Sequence, residues 1–316
     1  MSLQTLFRRF DEAIKLRRYK ESKELVEKSQ IILDRIRDKI AVPHTFQFFP
    51  QGSYAVGTGI KPAEKGDYDI DVGIEFNVCW EDHNPVVVKG WVYDAVKGLT
   101  EDVRWRGPCI TVYYKKGGEP RYHVDLAILA KDRHGAGLRL ARGKQNAAPP
   151  DREWQPDDRK AFMQAVETRH PDQNGEQFRR VIRYLKRWKE EQFPREGRSA
   201  PTGLALTVAA LHWFRPMTGR GPSADDDDLG ATLSLVESLR ANFRQVWDQP
   251  AQRNKYRLSL RFPFAPNDDV VSRMSNEQHQ QFYQRVEKLV ELLGEARRTG
   301  TTTPLRKAFG SEFPEK

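Results

Sequence analysis

Residues 51–76 read QGSYAVGTGIKPAEKGDYDIDVGIEF. From Tyr68 onward the chain alternates. Tyr68, Ile70, Val72, Ile74 and Phe76 share one parity; Asp69, Asp71, Gly73 and Glu75 share the other. Alternation with period two predicts a half-buried strand whose apolar row faces a core. Such a strand puts Asp69 and Asp71 on one face, roughly 6.5–7 Å apart along the chain. Two carboxylates held that way repel each other unless a cation sits between them, so the strand is a candidate metal site. Asp67 shares their parity, which leaves Asp67/Asp69 as a second pair. Asp69/Asp71 is preferred, because Asp67 adjoins Gly66 in the preceding turn, Glu64-Lys65-Gly66-Asp67.

Upstream, residues 45–49 predict a short aromatic strand, and Pro50-Gln51-Gly52-Ser53 a turn after it. Ser53 is expected to cap a short helix through Tyr54, Ala55 and Val56. Backbone N–H groups at such a turn, with the Ser53 hydroxyl, suit a phosphate. Downstream, residues 109–115 and 121–129 predict a hairpin around Lys116-Gly117-Gly118-Glu119. In its second strand Tyr122, Val124, Leu126 and Ile128 share a parity, while Asp125 points the other way with His123 and Ala127. The apolar flanks make that strand central. A central strand needs a reason to carry a carboxylate, and completing a metal site is one. His123 is a weaker candidate, expected behind the metal ligands or at the surface.

The 316 residues suffice for two lobes. A charged fraction of 31% and a formal net charge of +9 favour anionic partners such as nucleotides or nucleic acid. Cys79 and Cys109 show neither metal spacing nor a disulfide framework. The opening MSLQTLFRRFDEAIK lacks the unbroken apolar core of a signal peptide. No run approaches the ~18 apolar residues of a membrane span. The expectation is a soluble cytoplasmic protein with no membrane partner.

Residues 3–40 predict a long helix with a bend near 16–19, ended by Pro43. Residues 85–99 predict another. RHGAGLRLARGK, residues 133–144, misses the phosphate-loop spacing and reads as a solvated loop or strand. Residues 147–158 mark the lobe boundary, giving a catalytic lobe over 1–160 and a helical lobe over 161–316. In the second lobe Phe178, Val181, Ile182, Leu185 and Trp188 form an apolar stripe, and the arginines and lysines around them read as a solvated face. Lys186, beside the stripe, is placed to reach into a cleft. Residues 201–214 are apolar all round and predict a core helix, with Ser199 or Thr202 at its start as cap or phosphate contact. Asp225, Asp226, Asp227 and Asp228 read as a solvated loop before a helix carrying Leu233, Val236, Leu239, Phe243 and Trp247. Ser275-x-x-Gln278 is a capping box that opens a last long helix.

Gly52-Ser53, Asp69-x-Asp71 in an apolar strand and Asp125 in a later strand resemble the polymerase-β-like nucleotidyltransferases. QGSYAVGTGIKP with DYDIDVGIEF resembles more closely the cGAS/DncV-like nucleotidyltransferases (CD-NTases) of bacterial anti-phage signalling. The likeness continues in YHVDLAIL, DREWQPDD, FRRVIRYLKRWKE, PTGLALTVAALHWF and FGSEFP, over nearly the whole chain. The resemblance implies an α+β, two-lobed polymerase-β-like fold: a mixed-sheet N-lobe with a long N-terminal helix, a mainly helical C-lobe, and the active site in the cleft. It implies that Asp69 and Asp71 bind two Mg²⁺ ions, with Mn²⁺ able to substitute, and that Asp125 completes the site. It implies that Gln51, Gly52 and Ser53 hold the donor triphosphate, that Lys186 reaches the phosphates, and that Ser199 or Thr202 touches them. The implied activity is nucleotidyl transfer between NTPs, ATP or GTP or a pyrimidine NTP. Its product is a cyclic di- or trinucleotide second messenger of CBASS antiviral defence, read by a separate effector protein, and the enzyme is constitutive or activated by a protein or RNA. No zinc-binding insertion like that of animal cGAS is present. The alternatives are template-independent synthesis of linear 2′-5′ oligonucleotides, extension of an RNA end, or a binding module that has lost the chemistry. The intact carboxylate set argues against the last.

Overall fold

The computed structural model describes residues 1–16, 21–62, 68–116, 119–135, 137–194, 200–219 and 225–316. In chain order the elements are α1 (Leu3–Ile14), α2 (Glu21–Lys39), β1 (Phe46–Gln51), α3 (Gly52–Ala55), β2 (Tyr68–Cys79), α4 (Pro85–Val96), β3 (Asp102–Trp105), β4 (Ile110–Lys116), β5 (Glu119–Lys131), β6 (Leu138–Arg142) and β7 (Glu153–Pro156). There follow α5 (Arg159–Thr168), α6 (Asp172–Gln192), α7 (Gly203–Trp213), α8 (Asp228–Ala241), β8 (Arg244–Asp248), β9 (Arg253–Arg257), α9 (Asn276–Thr299) and α10 (Thr303–Phe309). The fold is α+β, and the chain divides into two compact units. One comprises residues 16–164 and 264–266; the other comprises 1–15, 165–263 and 267–316.

The first unit is built on a seven-stranded mixed sheet in the order β1-β2-β5-β4-β3, with β6 on β5 and β7 on β6. β2 and β5 run parallel, and the other pairs are antiparallel. The apolar parity read from the sequence is the core face. Ile70, Val72, Ile74 and Phe76 of β2 join Val124, Leu126 and Ile128 of β5, all buried against Ile32 and Ile36 of α2 and Val88, Val92 and Val96 of α4. Asn84 caps α4 and Pro85 opens it, a position where proline's missing N–H costs nothing.

The second unit is helical apart from the β8–β9 hairpin. The expected single N-terminal helix is two helices. α1, capped by the Ser2 hydroxyl, belongs to this second unit, whereas α2 belongs to the first; the residues of the expected bend, 17–20, lie outside the described ones. Phe7 and Phe10 of α1 pack on Tyr184, Phe309 and Phe313. The capping box at Ser275 and Gln278 is present. Three further expectations are corrected. The arginines of α6 are not a solvated face: Arg180, Arg183 and Arg187 are buried. Arg183 makes a two-pronged bond to Asp11 at 2.6 and 2.9 Å. Nor is the four-aspartate run solvated, since Asp226 and Asp228 are buried on Arg180. α8 also ends before Phe243 and Trp247, and Trp247 stands in β8. No helix among the described residues is long and apolar enough to cross a membrane.

Candidate active site

β1 runs antiparallel to β2 and delivers its last residue, Gln51, opposite Asp71. The chain then enters α3 through Gly52 at φ +70°. A β-carbon on Gly52 would stand 1.8 Å from Asp71 Oδ2, so glycine is required there twice over, by backbone conformation and by the carboxylate beneath it. Ser53 is the second residue of α3 and does not cap it; Gln51 holds the cap position without a side-chain bond. The Gln51 side chain is instead fixed from Arg159, whose Nη1 donates to Oε1 at 2.6 Å while its other nitrogens grip Asp157. Asp157 falls in the DREWQPDD stretch and Arg159 just beyond it, but no spacing in the sequence singles out either one as a partner of Gln51.

The parallel register of β2 and β5 places Asp71 opposite Asp125 and Asp69 opposite His123. β4 extends both rows, with Thr111 opposite Asp125 and Tyr113 opposite His123. Thr111 donates to Asp125 Oδ1 at 2.6 Å. His123 Nε2 lies 3.2 Å from Asp69 Oδ1. One ligand atom from each of Asp69, His123 and Asp125 falls within 4.8 Å of the other two. The shared parity of His123 and Asp125 was the sequence signal for the histidine; what it lacked was the register that aims it at Asp69.

Burial and two like charges shape the electrostatics of this face. The Asp71 carboxyl is pushed up to about 7, first by burial and then by Asp69 and Asp125. Asp125 is also raised, chiefly by burial and partly by Asp69, against the lowering effect of the Thr111 hydrogen bond. Further along β2, burial alone would raise Glu75, but hydrogen bonds from Lys131 and Lys160 outweigh it and hold that carboxyl below its ordinary value. Between them Gly73 leaves room for the Phe49 ring, which a β-carbon would meet at 2.3 Å. A buried carboxyl raised by two neighbouring carboxylates marks a donor set that a divalent cation relieves, and oxygen donors of this kind suit Mg²⁺ and Mn²⁺. The residues present therefore fit the divalent ions that the resemblance implies.

Lys186 and Thr202 lie in the second unit. Thr202 caps α7, its hydroxyl accepting from Ala205 N at 3.1 Å. A β-carbon on Gly203 would stand 3.4 Å from Lys186 Cε and 3.9 Å from Nζ, so the lysine runs along the first turn of α7. The fold thus brings Lys186 and Thr202 to one helix end. Ser199 and Asp67 lie outside the described residues.

Residues 46–129 match the family described as cyclic GMP-AMP synthase DncV-like, nucleotidyltransferase domain. No curated protein matches the chain. Among solved structures, the Bradyrhizobium diazoefficiens CD-NTase CdnG in complex with GTP aligns at TM-score 0.69 and 18% identity, over 98% of this chain and 96% of that one. CdnC of E. coli MS115-1 with ATP aligns at TM-score 0.65 and 16% identity, over 99% of both chains. Vibrio cholerae DncV, a cyclic AMP-GMP synthase, aligns at TM-score 0.58 and 18% identity, over 89% of this chain and 73% of that one. At such identities the alignments speak for the fold, and the family match speaks for the segment that holds Gly52, Asp69, Asp71 and Asp125. The carboxylate strands lie inside the segment that matches the DncV-like nucleotidyltransferase domain, and the chain shares its fold with these CD-NTase structures along nearly its whole length.

Proposed function

We propose that this protein joins NTPs into a cyclic di- or trinucleotide that serves as a second messenger in anti-phage defence. The observation that carries the reading is the facing pair Asp71 and Asp125 on parallel strands, with Asp69 on the same face and the Gly52 turn lying on Asp71. A ribose 2′- or 3′-hydroxyl attacks the α-phosphate of an NTP in line; the bond to the β-phosphate breaks and pyrophosphate leaves. Asp125, fixed through one oxygen by Thr111, accepts the hydroxyl proton. Gly52 lets the backbone of the turn approach the triphosphate, and Ser53 adds a hydroxyl. Arg159 holds Gln51 and with it the end of β1. Asp69, Asp71 and Asp125 would hold two Mg²⁺ ions, or Mn²⁺; the chemistry these supply when bound is a lowered pKa for the attacking hydroxyl and neutralisation of the leaving charge. Lys186, Thr202 and Ser199 are the proposed phosphate contacts of the helical unit, and the lobe boundary is proposed near residue 160. A second transfer on the linear intermediate closes the ring.

GTP in the CdnG structure and ATP in the CdnC structure support nucleotide substrates. CdnC is solved in a complex with a HORMA protein; an activating protein partner is proposed here by analogy, with a separate effector reading the product in the cytoplasm. The test is incubation with each labelled NTP and Mg²⁺ or Mn²⁺, then phosphatase treatment and mass spectrometry. A phosphatase-resistant cyclic product is expected, lost in Asp69→Asn and Asp71→Asn chains that still fold. A linear 2′-5′ product would favour the oligomer synthase instead, and full activity in either variant would sink the carboxylate assignment.

A further inference from the structure

We infer that His123 supplies a nitrogen ligand to the cation held by Asp69 and Asp125, making this a mixed nitrogen–oxygen site that favours Mn²⁺ over Mg²⁺. The inference rests on the metal reading proposed above and adds a residue and a selectivity to it. Its basis is placement. Asp69 and His123 are register partners on neighbouring parallel strands, and Asp125 follows His123 by two residues on the same face. One ligand atom from each of the three lies within 4.8 Å of the others. Ligands of one octahedral ion at about 2.1 Å stand about 3 Å apart when adjacent and about 4.2 Å apart when opposed. The 3.2 Å between His123 Nε2 and Asp69 Oδ1 is already an adjacent-ligand spacing, and no pair among the three is farther apart than 4.8 Å.

The ring is also held in place. It lies against Tyr113 at a centroid distance of 5.2 Å and an interplanar angle of 32°. The Tyr113 ring is in turn faced by the Arg104 guanidinium at 4.5 Å and bonded at its hydroxyl by Arg106. The His123 side chain is only 17% exposed, whereas Asp69 opposite it is 52% exposed. A clamped imidazole beside a carboxylate open to solvent is a preformed two-donor edge, with Asp125 as the third donor. Mg²⁺ demands oxygen and near-ideal geometry, whereas imidazole nitrogen suits transition metals. An imidazole in the set therefore biases the site toward Mn²⁺. A purely orienting role for His123, through its bond to Asp69, would leave no nitrogen in the coordination sphere, and this difference can be measured directly.

The experiment uses the full chain with Mn²⁺ alone. Electron spin-echo envelope modulation on the bound Mn²⁺ is expected to show coupling to the imidazole ¹⁴N, absent in His123→Phe (which keeps a ring on Tyr113) and in His123→Gln. Calorimetric titration is expected to show Mn²⁺ affinity falling about 10-fold or more in both variants, with Mg²⁺ affinity changing far less. Bound Mn²⁺ without nitrogen coupling in the unmodified chain overturns the inference but spares the carboxylate site, as does an equal loss of both metals in the variants. No Mn²⁺ binding by the unmodified chain overturns both. Should a variant fail to fold, the signal from the unmodified chain decides alone.

Discussion

Asp71 is the residue on which burial, Asp69 and Asp125 act together, with Arg159 and His123 offsetting part of the effect. In an unfolded chain the same group titrates at about 3.9; in the fold it titrates at about 7. Below the lower value both states hold the proton and the site costs nothing. Between the two, the unfolded chain has released its proton and the native chain has not, so stability falls as pH rises, and the loss is complete above about 7. Asp71→Asn removes this penalty. Without divalent metal it is expected to raise the unfolding midpoint at pH 8 by about 2–4 °C for each kcal/mol relieved, and far less at pH 4.5. Scanning fluorimetry in chelator checks this, and an equal rise at both pH values would remove the electrostatic account. The common face of Asp69, Asp71 and Asp125 is legible in the sequence because side-chain parity is fixed by the strand itself. The demand for glycine at position 52 is not, because it comes from a carboxylate on another strand. His123 falls between these cases: its parity can be read, but its partner cannot.

The pairing of α6 with the residues leading into α8 shows where reading from patterns gives out. Apolar stripes identify which face of a helix is buried, and α6 carries the stripe expected of it. Buried ion pairs leave no such trace, because a buried arginine and a solvated one are the same letter. Asp228 is fully buried; it accepts from Arg180 Nε at 2.7 Å and Nη2 at 2.8 Å, and from the Tyr184 hydroxyl at 2.9 Å. Gln4 Oε1 accepts from its backbone N–H at 2.8 Å, tying α1 into the same knot. Removing one partner of such a set strands a buried charge, which costs about 3–5 kcal/mol. Asp228→Ala is therefore expected to lower stability to chemical denaturation by that amount. Lys288, paired with Glu291 and with both side chains more than half exposed, is expected to change it by less than about 1 kcal/mol on replacement by alanine. Denaturant unfolding followed by circular dichroism distinguishes the two, and similar losses would mean that burial does not govern these pairs.

At the scale of the whole molecule, residues 1–15 pack with the unit formed mainly from 165–316. Deleting them takes Asp11 from the buried Arg183 and two rings from the cluster of Tyr184, Phe309 and Phe313. The truncated chain is expected to lose hydrogen-exchange protection in α6, α8 and α10 while the β2–β5 sheet keeps its own; unchanged protection in α6 would refute this. The two-part α+β organisation could be anticipated from alternating strands followed by helical stripes. The split of the N-terminal segment between the units could not, since apolar spacing runs through both helices and does not say which core each one joins. The β2–β5 register carries one more consequence. Asp71 and Asp125 are separated by the spacing of neighbouring strands, about 4.8 Å, a length set by the peptide hydrogen bond and the same in every sheet. The loops that join α4, β3 and β4 on the way from one strand to the other can therefore grow or shrink without changing that backbone spacing. A slip of one residue between the strands would instead send one of them into the core. The site takes its ruler from the backbone, and only its chemistry from the side chains.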